Sequence, residues 1–321
     1  MNSGYSLIRL RNGMCSVHAL DADETFHPGI GPQAEADLLY VRQLKICERM
    51  QAEAGEFVIW DVGLGAAANA LVALRATREI PGRLRLVSFD NTAEPLAFAL
   101  QNAGALGYVA GYETPLAELL RTHHVAFQNG KLAVDWEFHR GDFPAWLARF
   151  ALAGRSLSPR GMSGVRGVLE QLASSPQPSP PSAEEREKTP PPHAVFYDAF
   201  SPAKNPAMWT RPVFENLFRA LDPARPCALT TYSRSTLLRT TLLLAGFFVG
   251  VGHATGAKEE TTIAANALDL IAEPLNARWL ERARRSDSAE PLREPVYTRA
   301  PLAPDTADQL RRHPQFAHVA G

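Results

Sequence analysis

The stretch AVFYDAFSPAKNPAMW, residues 194–209, indicates the kind of fold that this chain adopts. It begins as a short apolar run typical of a buried strand, and at Asp198 it changes into a polar loop with two prolines. A carboxylate is therefore expected at a strand end, where open α/β sheets bind their ligands. Lys204 and Asn205 add a cation and an amide to the loop. Asp198 could equally cap the next helix, so the interpretation needs support from elsewhere.

A second strand end of this kind lies in residues 57–69, FVIWDVGLGAAAN. The pattern predicts a buried strand, a turn of small residues from Gly63, and a helix over residues 70–78. Small residues let the backbone approach a ligand closely. Ala67 stands where the dinucleotide fingerprint has its third glycine, so the signal for a pyrophosphate is weak. Because Asp61 stands just before the turn, a cationic ligand suits this turn better than a pyrophosphate. A packed turn without a ligand is the alternative.

Two further predicted strands also end in acids. Residues 84–90 end at Asp90, a little over 20 residues after the glycine turn (~20 in the dinucleotide fold), where an acid can accept both hydroxyls of a ribose. Residues 132–139 run into Gly141 and Asp142, which could face the edge of an adenine ring. Asp90 alone could cap a helix, and a Gly-Asp pair is unspecific. Together, the acidic strand ends favour a nucleoside pocket.

The rest of the chain is organised around this alternation of strands and helices. We expect an α/β fold with a mostly parallel seven-stranded sheet, its last strand antiparallel because a short link precedes it, and helices on both faces. Helices are predicted over residues 35–51 and 116–126. The expected organisation is an N-terminal β-ribbon and helix (1–50), the main domain (51–272) with a disordered Pro/Ser-rich insertion (152–192), and a C-terminal charged helix and tail (273–321).

Composition limits the classes of function. The chain has 321 residues, 45% of them hydrophobic, and a net charge of -1, which carries no overall nucleic-acid signature. Three scattered cysteines without a C-x-x-C pair suit a reducing cytoplasm, and neither a signal peptide nor a membrane-spanning run is evident. The most basic stretch holds Arg278, Arg282, Arg284 and Arg285; a solvated helix and an RNA contact both stay open.

In this order, the motifs resemble class I S-adenosylmethionine-dependent methyltransferases, and more closely the MnmC-like methyltransferase family. Residues 198–209 match the family's Asp, Phe, Pro-Ala-Lys-Asn-Pro and Met-Trp pattern nearly residue for residue. The turn is a looser match, since the family's Gly-Phe-Gly-Thr-Gly-Leu-Asn is here Gly-Leu-Gly-Ala-Ala-Ala-Asn (63–69). Residues 256–259 echo a closing Gly-x-x-Lys-Arg-Glu motif without its Arg. The resemblance covers roughly residues 20–150 and 193–285.

The resemblance implies a Rossmann-like methyltransferase that uses S-adenosyl-L-methionine to methylate the 5-aminomethyl group of the wobble uridine in certain tRNAs. Some members are fused to an FAD-dependent oxidase. This chain has no second nucleotide-binding motif, so we expect the amine to be made by such an oxidase, or by another enzyme, on a separate chain. No metal is expected. The implied site residues are Asp198 for catalysis; Asp61, Gly63, Gly65, Asn69, Asp90, Gly141 and Asp142 for the cofactor; and Phe200, Pro202, Lys204, Asn205, Trp209 and Lys258 for the substrate.

The chemistry suits these residues. Methyl transfer to an amine needs a neutral amine with its lone pair aimed at the methyl group, and Asp198 could hold the amine and relay its proton. Phe200 or Trp209 could stack on the base, although packing is an equal interpretation for Trp209. His27 could contact a ligand, but a lone His in a Pro/Gly loop is more often structural or solvated. The rival functions are methylation of a small-molecule or protein amine, and a non-catalytic relative that only binds cofactor or tRNA.

Overall fold

A computed structural model describes residues 4–155, 189–256 and 259–316. The N-terminal part forms the predicted ribbon, strands β1 (Tyr5–Arg9) and β2 (Cys15–Ala19), which pair antiparallel. A short third strand, β3 (Glu24–Thr25), extends it. The turn at Asn12 is tied to the next loop, because its side-chain amide donates to the Ile30 carbonyl. The ribbon therefore leads the chain directly into the loop around His27.

The main sheet has eight strands in the order β10-β11-β9-β8-β4-β5-β7-β6. The five central strands are mutually parallel, whereas β11 and β6 run antiparallel to their neighbours. The strands are β4 (Glu56–Val62), β5 (Gly82–Asp90), β6 (His124–Asn129), β7 (Leu132–Arg140), β8 (Ala194–Tyr197), β9 (Ala228–Thr231), β10 (Phe248–Gly252) and β11 (Thr261–Ala265).

The mostly parallel sheet with an antiparallel last strand is confirmed, but the predicted number of seven strands is wrong. The extra strand is β6, because the predicted helix over residues 116–126 ends earlier, at Thr122. His123 adopts a left-handed backbone conformation (φ 62°), which ends the helix. The following residues pair with β7 through a turn at Gly130. Here sheet pairing outweighed the helical periodicity of the sequence.

Eleven α-helices are described, and one predicted helix is broken into three parts. Residues 35–51 form the end of a helix over Pro32–Ala36, a π-helical turn over Asp37–Arg42, and a helix over Ile46–Ala52, with left-handed Lys45 (φ 49°) at the break. The helices are α1 (Pro32–Ala36), α2 (Ile46–Ala52), α3 (Ala68–Thr77), α4 (Glu94–Gln101), α5 (Ala103–Leu106), α6 (Glu113–Thr122), α7 (Phe143–Arg155), α8 (Arg211–Ala220), α9 (Thr236–Ala245), α10 (Ala277–Arg284) and α11 (Pro304–Arg311).

Both faces of the sheet are covered by helices, as predicted. Along β4, Phe57 and Ile59 join the core formed with α1 to α6, whereas Val58 and Trp60 join the core formed with α7 to α11. This alternation follows from the two-residue period of a strand. Because both faces of β4 are buried, polar groups can reach solvent only at the strand ends, and the site lies there.

Most of the predicted insertion, residues 156–188, lies outside the described residues. Its flanks are packed: α7 continues to Arg155, and Thr189 is buried. The indole N–H of Trp60 donates to the Pro190 carbonyl. The described residues contain no helix both long and apolar enough to span a membrane.

Candidate active site

A cavity of about 570 Å³ lies at the carboxyl ends of the parallel strands. Its wall includes residues just after β4, β5, β7 and β8, and the ribbon residues Asp23 to Pro28 border its other side. Parallel strands bring their carboxyl ends to one edge, so motifs far apart in sequence meet there. The members predicted from sequence that line the cavity are Gly63, Gly65, Asn69, Asp90, Gly141, Asp142, Asp198, Phe200 and Asn205.

The glycine turn and the Asp198 loop are packed backbone against backbone. Gly63 has φ 94°, and a Cβ atom there would lie 2.6 Å from the Asp198 carbonyl oxygen. The N–H of Asp198 donates to the Val62 carbonyl at 2.8 Å. Gly65 also has a positive φ, 51°. A side chain at Gly63 would push the two strand ends apart, so this glycine is required for their approach.

Asp90 closes the glycine turn from the neighbouring strand. Its Oδ2 accepts the N–H of Gly65 at 2.9 Å, and its Oδ1 accepts the N–H of Thr92 at 3.2 Å. Burial raises the pKa of Asp90, and these backbone hydrogen bonds act in the opposite direction. Asp90 therefore borders the cavity while it holds the turn, and its contact with a ribose stays a prediction.

Asp198 is held by the helix that follows the glycine turn. Its Oδ2 accepts a hydrogen bond from Nδ2 of Asn69 at 2.8 Å, and its side chain is 17% exposed. Asn69 thus lies on the cavity wall and bonds to Asp198, while its contact with the cofactor stays a prediction. Asn69 therefore links the cofactor turn to the predicted catalytic carboxylate.

His27 also lies on the cavity wall, beside Asp198. Its Nε2 lies 3.7 Å from Oδ2 of Asp198, and its Nδ1 lies 3.8 Å from Oε2 of Glu35. Its backbone is left-handed (φ 50°), and its side chain is only 9% exposed. This burial excludes a solvated His27, whereas its structural role and its ligand contact stay predictions. Its Pro/Gly-rich loop gave only a weak signal, since such loops often bend chains without binding ligands.

The cavity is lined by acids. No Lys or Arg is among the described residues on its wall, and His27 is the one basic group there. Burial, and then the charges of Asp198 and Glu35, raise the pKa of the Tyr40 hydroxyl well above its usual value. Such a site favours a cationic ligand. The carboxylates on the wall belong to Asp23, Glu24, Glu35, Asp90, Asp142 and Asp198.

Asp61 lies beneath the turn and is not among the residues that line the cavity. It is buried, and Ser88 Oγ donates to its Oδ2 at 2.9 Å, while Oδ1 has no hydrogen-bond partner. Burial, with smaller contributions from Asp198 and Asp90, raises the pKa of Asp61 to about 7. Asp61 thus lies behind the cavity wall, and its predicted contact with the cofactor stays a prediction.

The predicted substrate residues divide into two groups. Phe200 and Asn205 line the cavity, and the Phe200 ring lies 5.7 Å from that of Phe26. Pro202 and Lys204 lie outside the cavity wall, and Lys204 is exposed on the loop. Lys258 lies outside the described residues.

Trp209 requires a correction. Its side chain is fully buried, and its Nε1–H donates to the Phe200 carbonyl at 2.7 Å. The indole packs against Tyr197, Phe214 and Tyr232. Since a buried indole offers no free face to a base, Trp209 supports the loop that carries Phe200 and does not stack on the substrate.

The sheet, the glycine turn and the acidic cavity fit S-adenosyl-L-methionine, whose sulfonium and ammonium groups are cationic. Residues 186–267 match the model of a family described as S-adenosyl-L-methionine-dependent methyltransferase. The fold matches the crystal structure of MnmC2 from Aquifex aeolicus with a TM-score of 0.62 and 20% identity, over 98% of this chain and 86% of that one. The protein is therefore a class I, S-adenosyl-L-methionine-dependent methyltransferase.

Within this class, the chain is similar to MnmC-like methyltransferases. It is 27% identical over 243 residues to the tRNA 5-methylaminomethyl-2-thiouridine biosynthesis bifunctional protein MnmC of Aeromonas hydrophila, covering 71% of this chain and 30% of that protein. It is 28% identical over 276 residues to the MnmC protein of Cupriavidus necator, covering 81% and 35%. The chain thus spans about a third of the length of these bifunctional relatives.

Proposed function

We propose that the protein methylates the 5-aminomethyl group of the wobble uridine in tRNA, on the amine nitrogen. The observation that carries the proposal is the acid-lined cavity, with Asp198 of the motif at residues 198–209 on its wall. A cavity of this charge attracts both a cationic cofactor and an amine. The names of the relatives support the tRNA substrate, since those proteins take part in forming 5-methylaminomethyl-2-thiouridine.

The cofactor would be held by the residues at the ends of β4, β5 and β7. S-adenosyl-L-methionine, when bound, supplies a methyl group on a sulfonium that is open to in-line attack by an amine. Gly63 and Gly65 leave room for close approach, and Asp90 would accept the ribose hydroxyls. Gly141 and Asp142 would face the adenine. The acids of the wall would balance the positive charge of the cofactor.

Asp198 would orient the substrate amine. Asn69 fixes the carboxylate by its Oδ2, so the side chain cannot swing away from the cavity. A carboxylate that accepts a hydrogen bond from the amine directs the nitrogen lone pair and can take its proton. Phe200 and Asn205, on the same loop, would contact the uracil by ring stacking and amide hydrogen bonds.

The tRNA part of the proposal is supported by exposed arginines on α10, of which Arg282 lies near Arg239. Arg278, Arg282 and Arg285 lie on one exposed face of α10 and its end, and among the described residues they form no ion pair. Burial, and then Arg282 and Arg234, lower the pKa of Arg239, which donates to the Thr261 carbonyl at the start of β11. Because β11 is antiparallel, its start lies at the carboxyl edge, near the cavity.

The proposal also requires an enzyme that supplies the amine. We propose that an FAD-dependent oxidase, or another enzyme that forms the aminomethyl group, acts first on a separate chain, and that the reaction takes place in the cytoplasm. tRNA that still carries the precursor of the amine would then not be a substrate. The purified protein should therefore depend on prior treatment of the tRNA.

The test uses purified protein, labelled S-adenosyl-L-methionine, and tRNA that carries 5-aminomethyl-2-thiouridine. The expected product is 5-methylaminomethyl-2-thiouridine, identified by mass analysis of the nucleosides. tRNA with an unmodified wobble uridine is the control. Label in free amines or proteins but not in tRNA would favour the small-molecule or protein alternative. Cofactor binding without any transfer would favour the non-catalytic alternative.

Charge reversal tests the arginine surface separately. We expect Arg278→Glu with Arg282→Glu to weaken tRNA binding and to reduce the slope of log K against log salt by roughly 2, about one for each lost phosphate contact. The matched control is Arg83→Glu with Lys131→Glu, two exposed residues at the opposite edge of the sheet. Equal loss in both double variants would contradict a specific surface on α10.

A further inference from the structure

His27 belongs to a group of buried ionisable side chains that the proposed methyl transfer does not yet explain. It is placed between two carboxylates, Asp198 at its Nε2 and Glu35 at its Nδ1, at distances of 3.7 and 3.8 Å. The Glu35 side chain is 7% exposed. These three residues come from the ribbon loop, α1 and the loop after β8, so the fold, and not local sequence, brings them together.

The backbone of His27 holds the ring in this place. Its φ of 50° is uncommon for a residue with a side chain, and Pro28 follows directly, which disfavours helical conformations further. Such strain persists where the surrounding structure enforces it, often at functional sites. The ring is therefore fixed with one nitrogen toward each carboxylate.

The chemistry of the reaction leaves a proton to be removed. An aliphatic amine is mostly protonated near neutral pH, and it must lose a proton before its nitrogen can attack a methyl group. A cavity lined by carboxylates favours the ammonium form of the substrate, which opposes this loss. An imidazole beside the carboxylate that binds the amine, in its unprotonated form, is a group that can accept this proton.

We propose that His27, oriented by Glu35, accepts through Asp198 the proton that the substrate ammonium loses. This inference rests on the proposed function, because it assumes an amine substrate. One N–H bond of the ammonium breaks and leaves its electron pair on nitrogen. The proton passes over the Asp198 carboxylate and forms an N–H bond at Nε2 of His27. The imidazolium is stabilised by Glu35 and releases its proton to solvent after the product leaves.

Other ionisable groups surround His27 and affect any pH profile. They are Glu24, Glu35, Asp198 and Tyr232 on the cavity wall, with Tyr40 and Asp61 behind them. Burial raises the pKa of both tyrosines well above the usual value, so both phenols stay neutral in the range of the test. The pKa of Asp61, about 7, affects wild type and variant alike. The informative quantity is therefore the ratio of their rates at each pH.

The test compares kcat of wild type, His27→Gln and Glu35→Gln from about pH 6.5 to about pH 10, with tRNA that carries the aminomethyl group. We expect His27→Gln to be slower by about 10²-fold or more near neutral pH. The deficit should shrink to a few-fold near pH 10, where the amine arrives neutral. Glu35→Gln should show a smaller deficit with the same trend, and added imidazole should partly rescue His27→Gln. His18→Gln, on β2 of the ribbon, is the matched control.

The outcomes separate this inference from the proposed function. A deficit of His27→Gln that does not change with pH, or no deficit at all, overturns the role of His27, while an active wild type leaves the methyltransferase assignment standing. If the wild type transfers no methyl group to this tRNA, the proposed function itself fails, and this inference with it. Cofactor affinity near that of wild type in His27→Gln shows that the variant is folded. If that variant does not fold, the Glu35→Gln pH series decides in its place.

Discussion

Replacement of Asp198 by Asn tests the centre of the site with little change of shape. The amide can turn its oxygen toward Nδ2 of Asn69, so the hydrogen bond of 2.8 Å that holds the side chain can be kept. What is lost is the negative charge and the ability to take a proton. A positioned acid or base contributes about 10²–10⁴-fold, which corresponds to a rise of about 3–5 kcal/mol in the activation barrier.

The stability of Asp198→Asn should not fall. Asp198 is one of several acids at the cavity, and it raises the pKa values of Tyr40, Tyr232 and Asp61. Removal of one negative charge relieves this repulsion in the free protein, so we expect an unchanged or higher melting temperature. The fall in kcat and the maintained stability are predicted together.

The assay for Asp198→Asn has two parts. Calorimetry with S-adenosyl-L-methionine should give an affinity within a few-fold of wild type, while transfer to the aminomethyl tRNA is measured under single-turnover conditions. Ala203→Ser, at an exposed position of the same loop outside the cavity wall, is the control for a general disturbance. A folded Asp198→Asn that methylates at the wild-type rate refutes the catalytic role. Loss of cofactor binding in parallel with activity would assign Asp198 to the cofactor and not to the amine.

Three further predictions concern the cofactor side of the site. Asp90→Ala should weaken S-adenosyl-L-methionine binding by about 1.5–3 kcal/mol, measured by calorimetry, since charged hydrogen bonds contribute this much; a folded variant with wild-type affinity would remove Asp90 from the site. Gly63→Ala should lower the free energy of unfolding by about 1–3 kcal/mol and weaken cofactor binding, because φ is 94° and the new Cβ would lie 2.6 Å from the Asp198 carbonyl oxygen. Gly104→Ala, where nothing lies within 4 Å of the new Cβ, is the control in the same denaturation series. Asp61→Asn should gain stability relative to wild type as the pH rises from about 4 to about 7, because the folded-state pKa of Asp61 is raised to about 7 and the wild type loses stability in this window. Roughly three pKa units set an upper limit of about 4 kcal/mol on the difference in the free energy of unfolding. A difference that does not change with pH would show that Asp61 ionises normally.

The strand ends could be predicted from the sequence because their signals are local. Continuous apolar runs such as residues 57–62 identify buried parallel strands, and an acid or a glycine after each run lies at the same edge. The topology rule for open α/β sheets then places Asp90, Asp142 and Asp198 in one region. The cavity wall includes all three. Their individual roles stay predictions.

The remaining features depend on contacts distant in sequence. His27 meets Asp198 only because the ribbon folds over the carboxyl edge of the sheet, and no periodicity encodes that approach. Residues 124–126 have a helical pattern in the sequence, but in the structure they form part of β6 and pair with β7. A tryptophan at position 209 suits both core packing and stacking on a base. Only its burial and its hydrogen bond to the Phe200 carbonyl, which the structure shows, decide for packing.

The altered glycine turn does not imply that the site has lost cofactor binding or catalysis. The family has glycine where this chain has Ala67, which takes a left-handed conformation with φ 61°. That conformation costs an alanine about 1–2 kcal/mol. The alanine methyl group is buried, which returns about 0.8 kcal/mol, and alanine loses about 0.4–1 kcal/mol less chain entropy on folding than glycine does. These terms nearly cancel, so the turn keeps its shape at little net cost. The hydrogen bonds from Gly65 to Asp90 and from Asn69 to Asp198 are both intact, and these bonds connect the turn to the acids of the site. The absence of the third glycine is therefore no argument for a non-catalytic relative, and Ala67→Gly should change cofactor affinity and stability only slightly.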